Sequence, residues 1–81
     1  MKTRKREYGN ANMIGRNVER IRLEKGIKQK DMIVQMQVMG FDINPTSYSK
    51  LEGQVRLATD REIYAISKIL NVDMETLFKK D

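Results

Sequence analysis

The stretch N-P-T-S-Y-S-K-L-E-G, at residues 44–53, carries a helix together with its start and stop signals. Asn44 is a residue type that caps helices, and Pro45 at the first helical position loses only an N–H group that would have no partner there. Tyr48 and Leu51 are its apolar residues, and the closing glycine predicts its end. A helix of barely two turns is not stable alone. We therefore expect neighbouring helices to hold its apolar side and to leave its polar side exposed.

Helical periodicity and stop signals predict four more helices around this one. Before it, apolar residues recur at spacings of three and four over residues 14–26 and 28–40, and a glycine ends each run. After it, Thr59 and Glu62 form a capping box for a fourth helix, and Asp73 predicts the cap of a short fifth one. No stretch alternates with the period of two that strands require, so the predicted fold class is all-α, a compact five-helix bundle. The residues expected to face its interior are Ile14, Val18, Ile21, Met32, Ile33, Met36, Met39, Phe41, Ile43, Ile63, Ile66, Ile69, Leu70 and Val72, with Leu23 as a further candidate.

Size and charge limit the kind of site that the chain can build. Its 81 residues suffice for one domain with a modest core and leave no room for a deep cleft between two lobes. Lys and Arg outnumber Asp and Glu by 16 to 11, and residues 1–12 contain four basic residues against one acidic residue. Such a balance favours nucleic acid or another anionic surface as partner. Residues 1–12 are expected to be a flexible basic arm and residues 13–81 the folded domain; the arm either adds DNA contacts or is a solvated tail.

Several functions lack the residues they need. The chain has no histidine, the commonest general base and metal ligand, and its carboxylates are scattered over helix surfaces and caps. No phosphate loop, nucleophile elbow or metal-ligand spacing occurs. We expect no catalytic residue, no metal, no cofactor and no enzymatic activity. The absence of cysteine fits a cytoplasmic protein, and the short apolar runs predict no membrane partner.

Five ordered segments of the chain resemble the lambda-repressor-like, or Xre-type, helix-turn-helix family of bacterial and phage regulators. They are Ile14-Gly15-Arg16-Asn17-Val18, Ile21 to Met32, Ser47 to Glu52, Ile66 to Val72, and Glu75-Thr76-Leu77-Phe78. The resemblance implies that the second and third helices form a helix-turn-helix and that the third enters the major groove of DNA. The connection from Gln37 to Asn44 is longer than the family's usual one, and Gly53-Gln54 replaces its usual Asn-Gly.

The same resemblance implies which residues meet DNA. The expected base-reading residues are Asn44, Pro45, Thr46, Ser49 and Lys50, and the expected phosphate-binding residues are Lys28, Gln29, Lys30, Gln54 and Arg56. Lys50 is the candidate for guanine O6 and N7, and Thr46 for a base edge or a thymine methyl. Arg22 and Glu52 stand where family members often have an internal ion pair that joins the first helix to the end of the third.

Two functions from different classes follow. The leading hypothesis is a sequence-specific transcriptional regulator, a repressor, that binds double-stranded DNA as a homodimer and reads the major groove with the helix over 45–52. The alternative is a protein-interaction module, such as an antitoxin or an antagonist of a partner protein. Met74, Leu77 and Phe78 are the residues behind that alternative, because they could form an exposed apolar patch, a dimer surface or ordinary core.

Overall fold

Five α-helices and no strand make up the described part of the chain, residues 7–79 of a computed structural model. The helices are α1 (Gly15–Glu24), α2 (Gln29–Val38), α3 (Pro45–Glu52), α4 (Asp60–Leu70) and α5 (Met74–Phe78). The all-α prediction is confirmed for these residues. None of the five helices has the length and apolar character that crossing a lipid bilayer requires.

The predicted caps of α3 and α4 are present. Asn44 Oδ1 accepts a hydrogen bond from the backbone N–H of Ser47 at 2.8 Å, which satisfies one of the free donors at the start of α3. At the start of α4, the Thr59 hydroxyl accepts from the N–H of Glu62 while the Glu62 carboxylate accepts from the N–H of Thr59. Local sequence chemistry therefore sets where both helices begin. Asp73 occupies the N-cap position of α5 as predicted, but its side chain makes no cap hydrogen bond.

The end of α3 lies where the sequence predicts it, with Glu52 as the last helical residue and Gly53 as the C-cap. Gly53 has a φ of −77°, and the residue after it, Gln54, takes a left-handed φ of 60°. The N–H of Gln54 donates to Leu51 O and the N–H of the next residue, Val55, donates to Lys50 O, both at 3.0 Å. This is a Schellman motif with glutamine where glycine is usual. Side-chain hydrogen bonds made by Gln54, described below, offset the cost of that backbone conformation.

The core lies where the five helices meet. Its buried members are Ile14, Val18, Ile21, Met32, Ile33, Met36, Ile43, Tyr48, Leu51, Ile66, Leu70 and Leu77. Met39 was predicted to join the inner stripe of α2, but 44% of it is exposed because it lies one residue beyond the helix. Leu23, a candidate for the inner side of α1, is 62% exposed. Of the C-terminal apolar residues, Leu77 belongs to the core while Met74 and Phe78 remain exposed.

The N-terminal segment is anchored to the bundle over residues 9–12. The N–H groups of Gly9 and Ala11 donate to Gly53 O and Gln54 O, both at 2.8 Å. Asn12 Nδ2 donates to Leu51 O and to Arg56 O, both at 2.9 Å. These residues are held against the bundle by hydrogen bonds rather than by buried apolar area, and the division into an arm over residues 1–12 and a domain over residues 13–81 stays a prediction. The first six residues of the arm lie outside the described part.

Candidate nucleic-acid interface

The inner side of α3 is fixed by a buried carboxylate. Glu52 has no exposed surface, and it accepts hydrogen bonds from a side chain on each of three helices. Arg22 of α1 donates through Nε at 2.7 Å and Nη2 at 3.2 Å, Gln29 of α2 through Nε2 at 3.0 Å, and Tyr48 of α3 through its hydroxyl at 2.5 Å. Because Arg22 belongs to α1 and Gln29 to α2, their bonds to Glu52 fix α3 relative to both helices.

The Arg22–Glu52 ion pair that the resemblance implied is present in the structure. Burial by itself lowers the pKa of Arg22, but the hydrogen bond to Glu52 and the charge of that carboxylate outweigh it and raise the pKa above its ordinary value. Burial, and next the charge of Glu52, raises the pKa of Tyr48 far above its ordinary value. The tyrosine hydroxyl therefore stays protonated at neutral pH and keeps donating to Glu52.

The outer side of α3 faces a shallow groove. The groove is lined by Asn44, Pro45, Thr46, Ser47, Lys50, Val55 and Arg56. Thr46 and Lys50 are exposed and lie one helical turn apart, so they present a hydroxyl and an ammonium group from the same face of the helix. Four of the five predicted base-reading residues are thus brought together. The fifth, Ser49, is half-buried and is not among the lining residues.

Asn44 and Gln29 have part of their hydrogen-bonding capacity committed inside the protein. Asn44 uses its side-chain oxygen for the helix cap, and its amide nitrogen is the group that remains for another partner. Gln29 directs Nε2 to Glu52, and that nitrogen carries a second hydrogen. Lys28 and Lys30, on either side of Gln29, are exposed at the start of α2. These positions agree with the expected phosphate contacts at Lys28, Gln29 and Lys30 but do not test them.

Arg56, a predicted phosphate-binding residue, has most of its donors bonded inside the protein. Its Nε donates to Ser47 O at 2.9 Å, Nη1 donates to Leu57 O at 2.7 Å and to Glu62 Oε1 at 3.0 Å, and Nη2 donates to Glu62 Oε2 at 2.9 Å. Burial by itself raises the pKa of Glu62, but hydrogen bonds from Arg56 and from the Thr59 backbone hold it below its ordinary value. Four of its five guanidinium N–H donors are thus used inside the protein, one N–H of Nη2 remains, and Arg56 joins α3 to the start of α4. The phosphate contact at Arg56 stays a prediction.

Gln54, also a predicted phosphate-binding residue, has a structural role as well. Its Nε2 donates to Gly9 O at 2.9 Å, and its Oε1 accepts from the backbone N–H of Arg16 at 3.0 Å. Both ends of the side-chain amide are therefore used to join the N-terminal segment, the start of α1 and the turn after α3.

Sequence reasoning missed three residues around the groove. Val55 lines it with 56% of its surface exposed, Glu62 neutralises Arg56, and Asn12 bonds the segment that carries both Val55 and Arg56. Arg56 and Glu62 are six residues apart across a loop, and Asn12 acts over 44 positions, so neither follows a helical spacing that a sequence pattern could reveal.

Comparison of the chain with protein-family models, with curated proteins and with solved structures gives no match. Within residues 7–79, no group of three or more histidine, cysteine, aspartate or glutamate residues is arranged to hold a metal ion. The resemblance to the lambda-repressor-like family therefore remains a prediction from the five segments of sequence.

Proposed function

We propose that this protein is a sequence-specific DNA-binding regulator of transcription, acting in the cytoplasm, that inserts α3 into the major groove. The observation that carries the proposal is the contrast between the two sides of α3. Its inner side is bonded through Glu52 to α1 and α2, while its outer side presents Thr46 and Lys50 in an open groove. A short helix that is rigid on one side and polar on the other is suited to reading base edges, because it loses little conformational freedom on binding.

The chemistry of the exposed residues matches what the major groove offers. Guanine presents O6 and N7 as acceptors, and the ammonium group of Lys50 is a donor that can contact both. The hydroxyl of Thr46 can donate or accept, and its methyl group can pack against a thymine methyl. Glu52 at the end of α3 and Glu62 in the first turn of α4 are each paired with an arginine, which reduces their repulsion of DNA phosphates.

Phosphate contacts would supply most of the affinity. Lys28, Gln29 and Lys30 lie at the first turn of α2, where free backbone N–H groups and the helix dipole also favour an anion. Such contacts fix the register of the protein on the duplex without reading its sequence. As a repressor, two copies would occupy half-sites about one helical turn of DNA apart.

A protein-interaction module is the second candidate, and one observation favours it. An apolar groove between α2, α4 and α5 is lined by Met39, Phe41, Asp60, Arg61, Tyr64, Ala65 and Met74. Met39, Tyr64 and Met74 are exposed there, and exposed apolar residues in one place are typical of a surface that binds protein. A module of this kind would use that groove and leave the outer side of α3 without a ligand.

A selection from a pool of random duplexes at low salt decides between the two candidates. The wild-type protein is expected to enrich one sequence, and Lys50→Ala is expected to lose preference at one base pair by roughly 1–3 kcal/mol. Lys68→Ala is the matched control, because it removes an exposed lysine of α4 that does not line the groove beside α3. Enrichment of no duplex by the wild-type protein would contradict DNA binding, and an unchanged preference in Lys50→Ala would contradict the assignment of this lysine.

A further inference from the structure

The groove beside α3 has an apolar side as well as a hydrogen-bonding side. Val55 lines the same groove as Thr46 and Lys50, and more than half of its surface is exposed. Single exposed apolar residues are common on proteins, so exposure alone indicates nothing. Val55 differs from the other exposed apolar residues in its position, because it lines a groove whose remaining members, apart from Pro45, are polar or charged.

The backbone around Val55 is fixed from three directions. Its own N–H donates to Lys50 O at 3.0 Å, which ties it to α3. The next carbonyl, Arg56 O, accepts from Asn12 Nδ2 at 2.9 Å, and the preceding carbonyl, Gln54 O, accepts from the N–H of Ala11 at 2.8 Å. The exposed valine is thus part of a rigid surface rather than of a loose loop.

The side chain of Val55 has little freedom of its own. Valine is branched at Cβ, which restricts its χ1 angle. The N-terminal segment lies against it, since a Cβ atom on Gly9 would approach Val55 Cγ1 to 3.1 Å. The χ1 angle of Val55 is therefore restricted, and Cγ1 lies against the N-terminal segment at the edge of the groove.

Among the four bases, only thymine presents a methyl group in the major groove. Cytosine and adenine present amino groups there, and an apolar side chain would remove these from water without offering a hydrogen bond. A fixed valine at the edge of a base-reading groove therefore favours thymine over the other three bases.

We propose that Val55 reads the 5-methyl group of a thymine next to the base pair contacted by Lys50. This inference rests on the proposed function, and it adds a base-reading residue that lies outside the recognition helix. The site then combines a cation for guanine, a hydroxyl and a fixed apolar group. The recognised duplex is expected to contain a guanine and a thymine within a few base pairs of each other.

Removing single methyl groups from the DNA tests the proposal directly. In the duplex that the wild-type protein enriches, each thymine is replaced in turn by deoxyuridine, which lacks only the 5-methyl group. One replacement is expected to weaken binding about fourfold, the equilibrium effect of burying one methyl group. In Val55→Ala, the same replacement is expected to have no effect. The matched control is Leu57→Ala, an exposed apolar residue that does not line the groove, which should keep the full difference.

The outcomes separate this inference from the function on which it rests. If the wild-type protein enriches a duplex but every deoxyuridine replacement is neutral, thymine reading is overturned and DNA binding stands. If the thymine preference persists in Val55→Ala, Val55 is not the reader. If no duplex is enriched, the proposed function fails and this inference fails with it.

Discussion

Two arginine–glutamate pairs hold α3 in place. They differ in burial, and only the Arg22–Glu52 pair was predicted from the sequence. At the junction with α1, the side chains of Arg22 and Glu52 are 8% and 0% exposed; at the junction with α4, those of Arg56 and Glu62 are 23% and 11% exposed. The first pair is part of a network over three helices, and the second reinforces a capping box. Removing one partner is therefore expected to lower the free energy of unfolding more at the Arg22–Glu52 pair, because the remaining side chain there has little access to water.

The largest expected effect is that of Glu52→Gln. The change leaves the buried Arg22 without its counter-charge, and breaking a buried pair in this way costs about 3–5 kcal/mol. Urea denaturation followed by circular dichroism measures the loss. A variant that does not fold is recognised by an unfolded spectrum without urea, and it also agrees with the prediction. Glu24→Gln is the control, because Glu24 pairs with Arg20 on the exposed side of α1 and such pairs contribute little. A loss below 1 kcal/mol in Glu52→Gln would show that the network does not hold α3.

Gly15→Ala tests how closely α1 approaches α3 at the same junction. A Cβ atom at this position would lie 2.4 Å from Leu51 O and 2.5 Å from Glu52 O, so the backbone would have to move. Replacing glycine by alanine inside a helix ordinarily stabilises it by about 1 kcal/mol, but here we expect a loss of roughly 1–3 kcal/mol. A thermal or urea melt gives the sign, and a stabilised variant would contradict the close contact.

Glu62→Gln tests the more exposed junction and predicts a pH dependence. Glutamine keeps an acceptor for the Thr59 N–H but removes the charge opposite Arg56, so at pH 7 we expect a loss of about 1–2 kcal/mol. The pKa of Glu62 in the folded protein lies below its ordinary value of 4.5, so the unfolded chain takes up a proton at higher pH than the folded one. This stabilisation is fully present above pH 4.5 and is lost as the pH falls further, through the folded pKa.

Urea denaturation of wild type and Glu62→Gln at several pH values from 7 to 3 measures that dependence. Because the other titrating groups are common to both proteins, the difference between the two isolates Glu62. We expect the difference to shrink towards pH 3. A difference that stays constant over this range would contradict the lowered pKa of Glu62.

The smallest expected effect concerns DNA and separates structural from phosphate-binding cations. If the proposed function holds, Lys28→Gln should reduce the slope of log affinity against log salt by about 0.9, the value for one phosphate contact. Arg56→Gln should leave that slope unchanged wherever the variant is folded, since its guanidinium is used inside the protein. A reduced slope in Arg56→Gln would show that Arg56 contacts a phosphate, as the resemblance implies.

Much of the fold could be predicted from local chemistry. The cap at Asn44, the proline after it and the capping box at Thr59 act between neighbours in the chain, and each is present in the structure. The buried stripe of Met32 and Met36 follows from helical periodicity, which fails at Met39 because the helix has ended there.

The candidate site was predicted less completely. Thr46 and Lys50 were predictable because a face of one helix is determined by spacing. The resemblance that suggested the Arg22–Glu52 pair also assigned Arg56 and Gln54 to phosphate. Nothing in their spacing shows that Arg56 donates to Glu62 and that Gln54 donates to Gly9 O.

The amino-acid order alone determined where α3 and α4 start, roughly where the helices stop and which of their faces are apolar, because those properties depend on groups within a turn or two of each other. Only tertiary packing decided which polar groups are left over for a ligand. Arginine, glutamine and valine have the same chemistry anywhere in a chain, and what they can bind depends on the atoms that distant segments bring to them. Arg56 is taken up by Glu62, Gln54 by the N-terminal segment, and Val55 is left facing the groove.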